Sequence, residues 1–158
     1  MRHLSCAAGL LLGAFLLTTN ANAHCQIPCG IYTDNLRFEM IEEHVTTIEK
    51  SMQQIIDLSA QSPINYNQLV RWIENKETHA EEIQDIVNAY FLTQRIKPVD
   101  AGDAENYQIY VEQVVLLQRM LVAAMKCKQT TDVAHTEELR SLSAQFQEAY
   151  AKAHGHKH

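Results

Sequence analysis

The sequence predicts an all-α protein: an antiparallel four-helix bundle with a short non-helical segment in front of it. Apolar residues recur at three- and four-residue spacing through four long segments, the pattern of helices with one buried face. The sequence has no alternating strand pattern, no glycine-rich loop and no internal repeat. Its five glycines and three prolines fall outside the interiors of the four segments. Short connections between such helices favour antiparallel neighbours in a bundle.

The N-terminus has the features of a cleaved signal or leader peptide. Arg2 provides a basic start, an apolar run follows over residues 4–17, and a small-residue cleavage site closes at Ala23. An uncleaved membrane anchor is the alternative, but about 14 apolar residues are fewer than the roughly 20 that a spanning helix needs. We expect a leader over residues 1–23 and a mature domain over residues 24–158. Export implies a periplasmic or secreted protein, whereas removal by a dedicated peptidase would also permit a cytoplasmic one.

The first helix is predicted over residues 36–60. Its apolar residues share one face, which should pack on a core. They are Leu36, Met40, Ile41, Val45, Ile48, Met52, Ile55 and Ile56.

The second helix is predicted to end near Lys97, and two starts fit the sequence. Ser62 and Pro63 resemble an N-cap and a first helical residue, whereas the regular pattern begins nearer Tyr66. One side of this helix carries Leu69, Ile73, Ala80, Ile83, Val87 and Tyr90.

The third and fourth helices follow a break at residues 97–102, KPVDAG. Asp103 is a suitable N-cap for a third helix that runs to about Lys128. The expected apolar face of the third helix is Tyr107, Tyr110, Val111, Val114, Leu117, Leu121 and Val122. The fourth helix follows residues 129–132 and carries Leu139, Leu142, Phe146 and Tyr150. These faces are expected to be ordinary core, and a bundle by itself reveals no function.

The charge balance argues against one class of function. The chain has 13 lysines and arginines against 19 aspartates and glutamates, a net charge of −6. Nucleic-acid-binding proteins usually present a basic patch. We therefore expect no nucleic-acid partner, and no membrane partner once the leader is removed.

Cysteine is too sparse for a disulfide framework. Cys6 is lost with the leader, and Cys127, near the end of the third helix, is expected to be a buried small residue. Cys25 and Cys29 remain at the new N-terminus, where an exported protein could join them in a local disulfide. The same two thiols could instead bind a metal.

Cleavage of the leader would gather metal-binding groups at the new N-terminus. His24 would offer an α-amine and an imidazole, Cys25 a thiolate and an amide nitrogen, and Cys29 a second thiolate. The amine, the deprotonated amide and the thiolates can form a square N2S2 plane, with the imidazole as axial ligand. Such ligation suits nickel(II) or copper(II), whereas zinc prefers a tetrahedron. Pro28 restricts the loop between the two cysteines.

Residues 24–32, HCQIPCGIY, resemble the nickel hook of the nickel-containing superoxide dismutases, whose pattern is HCxxPCGxY at the mature N-terminus. The predicted bundle agrees with this resemblance. It implies a nickel-dependent superoxide dismutase that converts superoxide to dioxygen and hydrogen peroxide while nickel alternates between Ni(II) and Ni(III). It also implies one nickel ion per subunit, held by the metal-binding hook through His24, Cys25 and Cys29, and a homohexamer.

The resemblance suggests two catalytic residues beside the ligands. Tyr32 resembles the tyrosine that closes the pocket over the metal. Glu39 stands in an RxE context with Arg37 and, after a one-residue shift, resembles the glutamate that holds the axial histidine. The expected role of Glu39 is to accept a hydrogen bond from the imidazole N–H of His24 and so fix the tautomer of that ring. The alternative for Glu39 is a solvated carboxylate at the start of a helix.

Two further family features are matched only in part. Tyr90, in AYFLTQRIKP, resembles a second pocket tyrosine, but additional residues precede Lys97. The family's histidine-orienting arginine has no counterpart at the expected distance before Tyr90, where Asn75 and Lys76 stand.

Capture of anionic superoxide by an acidic protein requires a local positive field. The candidate residues are Arg71, Lys76, Arg95 and Lys97. His44 and His79 are expected to be ordinary surface or core histidines. The tail could bind a transition metal loosely or form a disordered terminus; its histidines are His154, His156 and His158.

Other functions remain compatible with the sequence. A helical metal-binding or metal-delivery protein could use the same ligands without turnover, and a structural bundle could carry a terminal Cys25–Cys29 disulfide. No nucleophile-elbow or Ser/His/Asp signature supports a hydrolase. The dismutase interpretation is favoured because Tyr32 and Glu39 accompany the ligands, and it implies a processing peptidase as a partner.

Overall fold

The computed structural model of the chain describes residues 34–154, which form an antiparallel bundle. Helix α1 spans Asp34–Ser59, α2 spans Tyr66–Asp85 and continues into a π-helical segment at Ile86–Arg95, α3 spans Ala104–Gln129, and α4 spans Ala134–His154. Helices α1 and α3 each pack against both α2 and α4. The predicted all-α bundle is confirmed. The leader and the metal-binding hook predicted in front of the bundle lie outside the described residues.

Side chains cap the starts of α2 and α3. Asn65 Oδ1 accepts a hydrogen bond from the backbone nitrogen of Gln68 at 3.2 Å, and α2 begins at the next residue after Asn65. The start suggested by Ser62 and Pro63 is therefore wrong, and the later start is confirmed. Asp103 caps α3 as predicted. These caps satisfy backbone N–H groups that the first turn of a helix leaves unpaired.

The predicted apolar faces of α1 and α4 form much of the core. All four residues predicted for α4 are buried. On α1, Leu36 and Met40 are half-buried and Ile56 is 44% exposed. The buried side chains of α1 are Phe38, Ile41, Val45, Ile48, Ser51, Met52 and Ile55.

The predicted apolar face of α3 is confirmed in part. Leu117 of that set is fully buried and three others pack against the core, whereas Tyr107 and Val111 are exposed. The fully buried stripe lies to one side of the predicted face. The buried stripe is Gln113, Leu116, Leu117, Met120, Ala123, Ala124 and Cys127. Gln113 can face inward because its side-chain amide donates a hydrogen bond to the carbonyl oxygen of Ala149 at 3.2 Å.

The second helix does not remain α-helical to its end. In the π-helical segment the backbone bonds reach five residues back, and the last of them joins Ile96 N to Phe91 O at 2.9 Å. The helix ends at Arg95, two residues before the end predicted near Lys97. The segment includes most of the additional residues that precede Lys97. Among residues 34–154, none of the helices combines the length and apolar character needed to span a bilayer.

Candidate metal centre and its surroundings

Four of the five predicted site residues lie outside the part of the chain that the structure describes. They are the predicted metal ligands His24, Cys25 and Cys29 and the predicted pocket tyrosine Tyr32. Glu39 lies on α1. The arrangement of the ligands stays a prediction. The described residues show the end of the bundle at which the chain emerges from that segment.

Asp34, the first residue of α1, is bound through both carboxylate oxygens. The Tyr90 hydroxyl donates to Oδ1 at 2.5 Å, and Arg95 Nε donates to the same oxygen at 2.7 Å. The Tyr150 hydroxyl donates to Oδ2 at 2.9 Å. Arg95 Nη2 also forms an ion pair with Oδ1. We name these four residues the Asp34 cluster; it joins α1, the π-helical segment and the end of α4.

The π-helical segment explains how Tyr90 and Arg95 reach the same carboxylate. In an α-helix, residues five apart point about 140° away from each other. A π-helix bonds residue i to residue i+5, so side chains five apart lie nearly above one another. Arg95 therefore lies beside Tyr90, and its Cζ is 5.2 Å from the centroid of the Tyr90 ring.

The electrostatics of the Asp34 cluster favour a charged aspartate and neutral tyrosines. Burial opposes ionisation of Asp34, but hydrogen bonds from Tyr90, Tyr150 and Arg95 outweigh it and hold the Asp34 pKa below its ordinary value. Burial, followed by the hydrogen bond to Asp34, raises the pKa of both Tyr90 and Tyr150. Burial opposes the charge on Arg95, yet the bond to Asp34 raises the pKa of this arginine. The cluster therefore keeps one carboxylate and one guanidinium at neutral pH.

Two guanidinium groups lie close to the Tyr90 ring. Arg37 Cζ is 5.0 Å from the ring centroid, within the range of a cation–π contact, as is Arg95. Arg37 also donates from Nη1 to Met40 Sδ at 3.4 Å. Two arginines thus lie beside Asp34 in a chain that is acidic overall.

Glu39 lies on the side of α1 that faces α4. Its side chain is exposed and lines a cavity of about 430 Å³ together with Phe38, Glu42 and Arg140. Glu39 is five positions after Asp34, which corresponds to about 7.5 Å along the helix axis. The carboxylate is thus exposed near the end of the bundle where α1 begins, and its role as a partner of His24 stays a prediction.

Lys76 is not a steering residue, contrary to the sequence-based suggestion. Its side chain is 5% exposed, and Nζ donates to the carbonyl oxygen of Cys127 at 2.7 Å and to that of Lys128. The ammonium therefore caps the C-terminal end of α3. Asn75 is also occupied elsewhere, because its side-chain amide donates to Ser51 Oγ at 3.0 Å. Neither residue replaces the family's histidine-orienting arginine.

The remaining basic candidates differ in position. Arg71 lies one helical turn before Asn75, which contacts Ser51 on α1. Because Ser51 is itself far along α1 from Asp34, Arg71 lies roughly 30 Å from Asp34 along the bundle. Arg95 belongs to the Asp34 cluster, and Lys97 is exposed just beyond it. Only Arg95 and Lys97 remain suitably placed for substrate that approaches this end of the bundle.

His44 and His79 form a contact that joins α1 to α2. Their Nδ1 atoms are 2.7 Å apart, so one neutral ring donates to the other. Burial, followed by the charge of His79, lowers the pKa of His44. Among the described residues no partner reaches His44 Nε2, which is buried. Because an orphaned buried N–H is costly, the proton of His44 is best placed on Nδ1, where it is donated to His79.

The other candidate metal-binding residues do not assemble a site in the described part of the chain. Cys127 is fully buried, and burial raises the pKa of its thiol to about 11, which confirms its prediction as a buried small residue. His154 ends α4, while His156 and His158 lie outside the described residues. Within residues 34–154, no group of three or more His, Cys, Asp and Glu side chains could hold a metal ion.

Sequence reasoning did not single out Asp34, and it assigned Tyr150 only to the core. Their contact joins residues far apart in the chain, so no local motif signals it. The available hints were an aspartate at the start of a helix and a tyrosine, which has a polar hydroxyl, at the end of an apolar stripe.

Comparison with known protein families gives a match over most of the chain. A family model described as nickel-containing superoxide dismutase matches residues 19–154. This range includes residues 24–32 and all four helices of the bundle. Searches of curated proteins and of solved structures found no match.

Proposed function

The chain belongs to the nickel-containing superoxide dismutase family, and we propose that His24, Cys25 and Cys29 hold its nickel ion. The family assignment makes the protein an oxidoreductase that acts on superoxide. The observation that carries the ligand assignment is HCQIPCGIY at residues 24–32, which lies inside the matched range. We further propose one nickel ion per subunit and a homohexamer.

The donor set fits the metal. Thiolates and nitrogen donors suit nickel, and their anionic character stabilises a higher oxidation state. When bound, nickel would supply one-electron redox chemistry between its divalent and trivalent states, so that one superoxide is oxidised to dioxygen and another takes up one electron and two protons from water to give hydrogen peroxide.

The protein's own residues have distinct roles in this proposal. His24 contributes its imidazole and, after cleavage, its α-amine. Glu39 accepts the imidazole N–H of His24 and so fixes the ring's tautomer and orientation. Tyr32 narrows access to the site, so that small anions enter and larger molecules do not. Arg95 and Lys97 favour the approach of an anion at this end of the bundle.

Leader cleavage is part of the proposed mechanism. While Ala23 is attached, the nitrogen of His24 belongs to a peptide bond and cannot act as an amine ligand. We propose that a processing peptidase removes residues 1–23 and that the mature protein acts in the periplasm or outside the cell.

The decisive experiment compares protein that begins at His24 with the uncut chain. Nickel content and superoxide disproportionation are measured on the same samples, with Cys25→Ser and Cys29→Ser variants as controls. Activity that follows about one nickel ion per chain supports the proposal. Bound nickel without turnover would instead indicate a metal-delivery protein, and the absence of bound metal would indicate a bundle with a terminal disulfide.

A further inference from the structure

We propose that Asp34 is a positioning residue for the N-terminal metal site, acting through its bonds to Tyr90, Arg95 and Tyr150. This inference rests on the proposed function. It assigns to the Asp34 cluster the task of fixing the point at which the ligand-bearing segment joins the bundle.

The hydrogen bonds restrain Asp34 from two directions. Tyr90 and Arg95 hold Oδ1 from the end of the second helix, and Tyr150 holds Oδ2 from the last turns of α4. A carboxylate held through both oxygens has little freedom to rotate or shift. The two tyrosines pack with Phe38, Phe91 and Phe146, so the donors themselves are fixed by the core.

The position of Asp34 in the chain gives this restraint a consequence for the metal ligands. Asp34 is two residues after Tyr32 and five after Cys29. Since an extended chain covers at most about 3.6 Å per residue, Tyr32 stays within roughly 7 Å of Asp34, and Cys29 within roughly 18 Å. Anchoring Asp34 therefore limits where the tyrosine and the second thiolate can lie relative to Glu39.

The same geometry changes the role expected for Tyr90. The resemblance suggests a tyrosine that faces the substrate pocket. A tyrosine hydroxyl carries one proton, and Tyr90 donates it to Asp34. Tyr90 is therefore a positioning residue through Asp34 and has no proton left to donate to substrate.

The test uses nickel-loaded protein that begins at His24 and compares Asp34→Asn with Glu49→Gln. The two substitutions are matched, because each converts an arginine-binding carboxylate of α1 to an amide. Glu49 binds Arg140 at 3.0 Å on the exposed side of the bundle. Loss of a residue that positions metal ligands typically lowers metal affinity about 10- to 100-fold, so we expect Asp34→Asn to release nickel to a chelator faster by about that factor. Glu49→Gln should release nickel at the wild-type rate.

A second measurement separates positioning from stability. The paramagnetic resonance signal of trivalent nickel reports its nitrogen ligands, so Asp34→Asn should change the nitrogen hyperfine splitting, whereas a purely structural role would lower only the melting temperature. Tyr150→Phe keeps the ring in the core and removes a single donor to Asp34, so it should give the same changes in weaker form. If both variants keep the wild-type release rate and spectrum, the positioning role is wrong. A wild-type protein that binds no nickel would overturn the proposed function as well.

Discussion

Replacement of Lys76 by methionine tests the most deeply buried charge described in the bundle. Lys76 Nζ donates to two carbonyl oxygens at the C-terminal end of α3, at Cys127 and Lys128, and also contacts the half-buried Glu77. Methionine keeps a long apolar side chain of similar shape but cannot donate a hydrogen bond. The variant thus removes the cap while it disturbs the packing around the stem very little.

The expected loss follows from the bonds removed. A hydrogen bond from a charged group contributes about 1.5–3 kcal/mol, and a cation at a helix C-terminus adds up to about 1 kcal/mol. Burial of the ammonium offsets part of this sum. We therefore expect Lys76→Met to lower the free energy of unfolding by about 2–4 kcal/mol and the melting temperature by roughly 6–12 °C.

The assay is urea and thermal unfolding followed by circular dichroism, with Lys126→Met as the control. Lys126 also lies on α3, but its side chain is 39% exposed and its ion pair with Glu138 is 3.4 Å long. Surface pairs of this kind contribute at most about 1 kcal/mol. Equal unfolding midpoints for the two variants would refute the capping argument, and a large loss of superoxide turnover in folded Lys76→Met would restore Lys76 as a steering residue.

The other predictions concern the metal site and the Asp34 cluster. Cys25→Ser or Cys29→Ser should abolish nickel binding and superoxide turnover and leave the helical circular dichroism unchanged; full activity in either variant would exclude that thiol as a ligand. Ala23→Pro should block leader removal and give a chain without nickel-dependent turnover, as mass spectrometry and an activity assay on one sample would establish. Because the Asp34 pKa is lowered on folding, the stability that Asp34 provides is present above pH 3.8, its ordinary pKa, and is lost as the pH falls through the folded value. Tyr150 gives the opposite pH dependence of stability. Because folding raises its pKa, the folded state loses stability as the pH rises above 10, the ordinary pKa of tyrosine. Tyr150→Phe should therefore reduce the fall of the melting temperature at alkaline pH.

Sequence periodicity predicted the bundle because burial of apolar faces decides where helices pack. The faces of α1 and α4 were predicted well, since their apolar residues form one narrow stripe. On α3 two apolar stripes compete, and the buried stripe lies to one side of the face that periodicity selected. Tertiary contacts decide between the two stripes: the inward-facing Gln113 finds an acceptor at Ala149, and two alanines are buried beside the larger apolar residues of the inward stripe.

One part of the candidate site could be predicted from neighbouring residues in the sequence, and the other part depends on contacts between residues far apart in the chain. The proposed metal ligands belong to a local motif of nine consecutive residues, so their prediction needed no knowledge of how the helices pack, and it stays a prediction. The Asp34 cluster depends on the packing of three elements and on the change from α- to π-helical bonding after Asp85. Propensity and periodicity do not signal that change, because the apolar residues of this stretch also fit a continuous α-helix.

Because of the π-helical segment, the contact between Tyr90 and Arg95 depends on the number of residues that precede Lys97. Substitutions at the exposed positions of this segment do not change which direction the following side chains point. Insertion of a single residue between Tyr90 and Arg95 would place the two residues six apart, which turns the arginine about 120° away from the tyrosine in an α-helix. This stretch should therefore tolerate many replacements but no added residue, whereas the connection between α1 and α2 should tolerate one.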